Sequence, residues 1–166
     1  MDEFINALLS KDGIIPKEDD WFSPLLGDWN FEFSDPSGRR VKGEWFFRRV
    51  LDGGAIEDIY ICPSRDTVKT NPQPDGEYGA AIRMYNKDKR CYDMTYVNAA
   101  VTVRLTVNKN GEKIECVAAK ASSEQQETEK WVFSEITENT FHWQNITVLE
   151  NGKERVNGEV HAERLH

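Results

Sequence analysis

The sequence predicts an all-β protein: an up-and-down barrel of ten antiparallel strands preceded by a short helix. Three observations predict it. Apolar and polar residues alternate through Trp29-Asn30-Phe31-Glu32-Phe33, the period-two signature of a half-buried strand. Turn signals then recur at hairpin spacing, at Asp35-Pro36-Ser37-Gly38, Asp52-Gly53, Asn110-Gly111 and Asn151-Gly152. The strands they delimit follow one another in meander order, and so many antiparallel strands close on themselves because closure removes unpaired edges.

Residues 2–10 read as a helix, with Phe4, Ile5, Leu8 and Leu9 forming one apolar stripe. Gly13 and Pro16 end it, Lys17-Glu18-Asp19-Asp20 reads as a solvated linker, and a short turn is expected near residues 22–26. This divides the chain into residues 1–20, helix and linker, and residues 21–166, one barrel domain. Gly27 allows a tight entry into the first strand. The first turn sets Phe33 opposite Val41, Phe31 opposite Gly43 and Trp29 opposite Trp45. The second, read as a two-residue turn, sets Trp45 opposite Tyr60, Phe47 opposite Asp58 and Arg48 opposite Glu57. Asn110-Gly111 aligns Val107 with Ile114, Leu105 with Cys116 and Val103 with Ala118. Asn151-Gly152 aligns Thr147 with Val156, Trp143 with Val160 and Phe141 with Ala162. Each register gathers apolar side chains on one face, which a one-residue slip would scatter. Two further hairpins are expected, 78–86 with 90–97 and 128–136 with 140–149. Residues 63–77, with three prolines and a glycine, and residues 121–127 read as loops.

These registers point Trp29, Phe31, Phe33, Val41, Trp45, Phe47, Tyr60, Val103, Leu105, Val107, Ile114, Cys116, Trp131, Phe133, Phe141, Trp143, Val156 and Val160 inward. An interior this aromatic either fills itself or encloses one small ligand. Asp58 also points inward and needs a partner, Arg49 or Arg83. Strands 78–86 and 90–97 have two candidate inner faces. Burying Ile82, Met84, Tyr92, Met94 and Tyr96 is the default, and Arg83 inward beside Asp58 is the alternative. The expected ligand contacts are Trp45, Asp58, Tyr60, Arg83, Tyr92, Tyr96, Trp131, Trp143 and Asn145. Asp58 would be a polar anchor or, in an enzyme, a general acid or base. A filled, purely structural barrel is the third alternative. On the outer face Phe46, Ile59 and Ile61 form an apolar patch, to be covered by the N-terminal helix or by a second copy in a homodimer.

The net charge of −8 and pI near 5.0 argue against nucleic-acid and membrane partners. No apolar run is long enough to span a bilayer, and Asp2 and Glu3 at the start do not suit a signal peptide. The three cysteines, Cys62, Cys91 and Cys116, give neither a disulfide framework nor a C-x-x-C pair, which suits reduced thiols in the cytoplasm. Asn145-Ile146-Thr147 matches a glycosylation sequon, without meaning in a chain that carries no secretory signal. His142 and His161 face each other with Glu159 nearby, but on the outward face, and are read as exposed histidines rather than metal ligands. No Gly-rich phosphate loop, nucleophile elbow or H-E-x-x-H occurs, so no catalytic residue and no cofactor is assigned.

Gly27-Asp28-Trp29 matches the G-x-W that opens lipocalin-like (calycin) barrels, and Arg164 matches their late arginine, which stacks on that Trp. The ordered set Leu25-Leu26-Gly27-Asp28-Trp29, Gly43-Glu44-Trp45-Phe46, Leu51-Asp52-Gly53-Gly54-Ala55-Ile56-Glu57-Asp58, Arg83-Met84-Tyr85-Asn86, Trp131-Val132-Phe133 and Phe141-His142-Trp143 resembles a bacterial lipocalin-like family of unknown function. The chain departs from the haem-binding nitrobindin branch: it lacks the glycine-rich continuation at residues 30–33 and an inward histidine near the end. It also lacks the disulfides of secreted lipocalins. The resemblance implies a ten-stranded barrel with an internal pocket and no established activity.

Overall fold

A computed structural model describes residues 2–9, 14–71, 73 and 76–166. Helix α1 (Glu3–Leu8) is followed by β1 (Gly27–Ser34), β2 (Arg40–Val50), β3 (Ala55–Cys62), α2 (Arg65–Thr70), β4 (Glu77–Asn86), β5 (Cys91–Val97), β6 (Thr102–Asn110), β7 (Lys113–Ala118), β8 (Thr128–Ser134), β9 (Thr140–Val148) and β10 (Glu154–Arg164). Each strand pairs antiparallel with the next, and β1 pairs with β10 through Trp29–Arg164 and Phe33–Val160, so the ten strands close into an up-and-down barrel.

The first two hairpins have the predicted registers, with Trp45 opposite both Trp29 and Tyr60, and Phe47 opposite Asp58. The second turn is wider than two residues. Pairing stops at Val50–Ala55, and Leu51 and Asp52 take positive φ at its centre. The loop grows equally on both sides, which leaves the register intact. Between β6 and β7 the observed pairs are Val107–Cys116 and Leu105–Ala118, two residues from those predicted. Gly111 (φ +61°) and Glu112 make the turn, and Asn110 still pairs with Lys113. A slip of two keeps every side chain on its face, so the core is unchanged. In β9–β10 the predicted Trp143–Val160 and Phe141–Ala162 pairs hold, but a bulge between Val156 and Gly158 puts Thr147 opposite Arg155. Val156 is therefore turned outward and 37% exposed, not inward as predicted.

β4 corrects the default reading of its faces. Arg83 and Ala81 point inward, paired with Met94 and Tyr96, while Ile82 and Met84 are exposed. A carboxylate buried at Asp58 without a countercharge costs more than two partly exposed apolar side chains. Arg83 is that countercharge, and Arg49 pairs instead with Asp20 at 2.8 Å.

The predicted linker is only half solvated: Lys17 and Glu18 are exposed, whereas Asp19 and Asp20 are drawn in. Residues 14–26, with one-turn 3-10 helices at Lys17–Asp19 and Ser23–Leu25, cross the end of the barrel where β1 begins. Phe22 and Leu25 are fully buried there, against the core that holds Tyr92 and Phe133. Asp19 is also buried. It accepts from Arg90 Nε (2.9 Å) and Nη2 (2.8 Å) and from the Tyr85 hydroxyl (2.5 Å), and its carbonyl accepts from Tyr92 (2.7 Å). Arg164 lies over Trp29 at 4.1 Å and donates to the carbonyls of Leu26, Pro24 and Glu138 at 2.6 Å each. This end is plugged.

The outer patch is not covered by α1. Phe4 is 70% exposed, and Leu9 past the helix meets Val50 in an isolated bridge. Over Phe46 stands Arg65 of α2, 5.2 Å from the ring centroid and paired with Glu44 through Nε and Nη2. Residues 63–77, predicted to be loop, thus contain a helix.

Candidate functional site

The other half of the barrel, toward the starts of β4, β6, β8 and β10, holds a cavity of about 400 Å³. Alternation along each strand builds its wall: Trp45 from β2, Asp58 and Tyr60 from β3, Ala81 and Arg83 from β4, Met94 and Tyr96 from β5, Val103 from β6, Trp131 from β8 and Trp143 and Asn145 from β9. Phe33, Glu77, Val101, Glu129, Asn157 and Gly158 complete it.

The aromatic rings touch in sequence. Tyr96 meets Trp131 edge-on at 5.3 Å, Trp131 meets Trp143 at 6.1 Å, Trp143 meets Trp45 at 5.7 Å and Trp45 meets Tyr60 at 4.9 Å. Tyr96 fits because β4 has a glycine beside it: a Cβ at Gly79 would overlap the phenol. At the base, Arg83 Nη1 donates to Asp58 Oδ2, and the Trp45 indole donates to Oδ1 at 2.7 Å. Both groups are almost wholly buried. The Arg83 guanidinium also lies 4.8 Å from the Phe22 ring centroid, with Phe47 and Phe133 slightly farther.

Polar groups near the mouth are organised by two carboxylates. Glu77 accepts from the Tyr96 hydroxyl and from Asn98 (3.2 Å). Glu129 accepts from Trp131 Nε1 (2.8 Å) and Asn145 Nδ2 (3.2 Å), and Asn157 donates to Asn145 Oδ1 (3.3 Å) and Thr147 Oγ1 (2.8 Å). Burial, with smaller contributions from neighbours that include Glu77, drives the Tyr60 and Tyr96 phenols well above their ordinary range, so both stay neutral donors. Among the described residues, Trp143 Nε1 and Arg83 Nε are buried donors without an acceptor.

Eight of the nine predicted contact residues, Trp45, Asp58, Tyr60, Arg83, Tyr96, Trp131, Trp143 and Asn145, surround this cavity. Tyr92 does not. It lies in the plug, edge-on to Trp21 and Phe22 and bonded to Asp19. Glu77 and Glu129 were missed. Glu129 was accessible to sequence reasoning, since it stands two residues before the inward Trp131, whereas Glu77 required knowing that the Arg83 face of β4 is the inner one. His142 and His161 stack on the outer face at 4.5 Å, and His142 Nε2 lies 3.0 Å from Glu159 Oε2. Ligand atoms of these three residues all lie within 4.8 Å of one another. Two imidazoles and a carboxylate are a donor set suited to a borderline divalent ion.

No protein-family model matches the sequence, and no curated protein does. Solved structures do. The chain superimposes on Rv2717c of Mycobacterium tuberculosis with a TM-score of 0.56 at 12% identity, over 92% of this chain and 99% of that one. It superimposes on the S-type phycobiliprotein lyase CPES of Guillardia theta with a TM-score of 0.54 at 11% identity, over 100% and 98% of the two chains. At these identities the likeness is one of fold alone, a closed up-and-down barrel of ten antiparallel strands.

Proposed function

We propose that the protein binds one small, partly apolar molecule among the aromatic side chains of its barrel. The observation that carries this is the cavity itself, about 400 Å³ walled by Trp45, Tyr60, Tyr96, Trp131 and Trp143. That volume falls in the usual range for small-ligand sites, and apolar walls with a few fixed polar groups are their usual chemistry. An acid–base role for Asp58 has less support. Its two oxygens already accept from Trp45 and Arg83, so Asp58 itself is not poised against a substrate. Three cysteines, odd in number, far apart and without a C-x-x-C pair, suit a protein of the cytoplasm. No helix among the described residues is long and apolar enough to cross a membrane.

Native mass spectrometry of protein purified from its own host tests the reading. Wild type should carry a discrete added mass, and the cavity-filling variant Val103→Trp should lose it. Quenching of tryptophan fluorescence by a panel of uncharged aromatic fragments provides a second readout. The proposal fails if no mass is retained and no fragment shows a signal that Val103→Trp abolishes.

A further inference from the structure

We propose that the cavity selects a small organic cation, a protonated amine or quaternary ammonium on an apolar body, and rejects carboxylates. This rests on the reading that the cavity binds a small molecule. Among the described residues, the charges lining it are three carboxylates, Asp58, Glu77 and Glu129, against one guanidinium, Arg83. The Asp58–Arg83 ion pair cancels internally, and three phenylalanine rings take up the other side of that guanidinium. Arg83 is therefore not an open anion site.

Glu77 and Glu129 are different. Both are partly buried, yet among the described residues neither has a cationic side chain within 4.0 Å. Their partners are neutral donors that hold one oxygen of each, Oε1, against the aromatic wall. They hang on two rings in edge-on contact, Tyr96 and Trp131, so the two negative charges share one rim. Two like charges in a low-dielectric mouth attract a cation and repel an anion, and the field is focused by the apolar walls. Past the rim, the tryptophan and tyrosine rings offer negative faces to an ammonium group. Carboxylates at the rim and aromatics behind are complementary to a cation in both charge and surface. An anionic ligand would meet two carboxylates that lack a cationic partner among the described residues, and would find Arg83 buried and ion-paired with Asp58.

The test uses three probes with one phenyl body and different charge: 2-phenylethylammonium, 2-phenylethanol and 3-phenylpropionate. Binding is followed by tryptophan fluorescence and calorimetry at pH 7 and low salt. The cation should bind about tenfold tighter than the alcohol, and the carboxylate should bind weakest. Glu129→Gln and Glu77→Gln, which keep the hydrogen-bond acceptors, should each lower the ratio of cation to alcohol affinity several-fold. Equal affinity for cation and alcohol, or tightest binding of the carboxylate, overturns the charge selection while leaving the cavity reading intact. If none of the three binds, the inference also falls, and the retained mass alone decides whether the cavity is a binding site.

Discussion

Replacing Asp58 with Asn removes one charge from a pair sealed inside the barrel and changes almost no volume. Arg83 would remain, 1% exposed, against ring faces and an amide and without its ion-pair partner. Leaving one member of a buried pair uncompensated costs about 3–5 kcal/mol. The pair is almost fully excluded from solvent, so no discount for screening applies. For a chain of 166 residues, each kcal/mol shifts Tm by about 2–4 °C, which puts the drop near 10 °C. Urea titration followed by circular dichroism should show the midpoint fall with the slope unchanged. The double replacement Asp58→Asn with Arg83→Met should recover most of the loss, because an apolar side chain needs no countercharge. A single-variant loss below about 1 kcal/mol, or a double variant no better than the single, would refute the view that these two residues act as one neutralised unit.

Arg164→Ala should lower Tm by about 5 °C, since it removes three hydrogen bonds to backbone carbonyls and the cover over Trp29. Arg164→Lys should recover only part, lacking the planar fork. The Cys116 thiol, fully buried and pushed up to about 12, chiefly by burial, should resist iodoacetamide at pH 8 in native protein and react once urea unfolds it. The Arg90 guanidinium and Tyr85 hydroxyl hold the Asp19 carboxyl below its ordinary value of 3.8. A lowered folded pKa contributes stability that is present above the ordinary value and lost as pH falls through the folded one. Acid titration of stability should therefore show a steeper limb below about pH 4 in wild type than in Asp19→Asn. Removing the first thirteen residues should change Tm by less than about 2 °C and leave the oligomeric state on gel filtration unchanged, because Phe4, Ile5 and Leu9 stay exposed.

Hairpins were legible where local chemistry alone sets the turn. Asp35-Pro36-Ser37-Gly38 fixed β1 against β2 because Pro and Gly each allow few backbone conformations. Asn110-Gly111 misplaced its turn by one residue, since Gly111 serves equally well as the first or second central position. The inner face of β4 was not legible from its own residues. Ile82 and Met84 outweigh Ala81 and Arg83 in hydrophobicity, and only Asp58, twenty-five residues earlier and across the sheet, reverses the choice. The polar run at residues 17–20 looked solvated for the same reason. The partners of Asp20 and Asp19, Arg49 and Arg90, lie 29 and 71 residues away. Helix α2, at six residues, is too short to carry a periodic signal. The aromatic wall was read correctly by alternation, whereas its carboxylate rim was missed because charges near strand ends are ordinarily solvated.

The plug and the cavity are joined by one line of contacts. Phe22 of the plug lies on the Arg83 guanidinium, Arg83 holds Asp58, and Asp58 accepts from the indole of Trp45, whose ring faces the cavity and packs on Tyr60 and Trp143. Each link is buried, and each fixes the next by geometry as well as by energy, because guanidinium, carboxylate and indole N–H have directional partners. The rings of Phe47, Tyr60, Phe133 and Trp143 confine the Trp45 side chain by packing, and the carboxylate of a salt bridge that the plug shields from water adds a directional partner for its indole N–H. The polar core pair thus does more than neutralise itself: it gives Trp45, one of the three tryptophans in the wall, a buried acceptor. This accounts for a costly buried ion pair lying at the floor of the cavity, where an apolar pair of the same volume would have packed as well but would have left the indole without an acceptor.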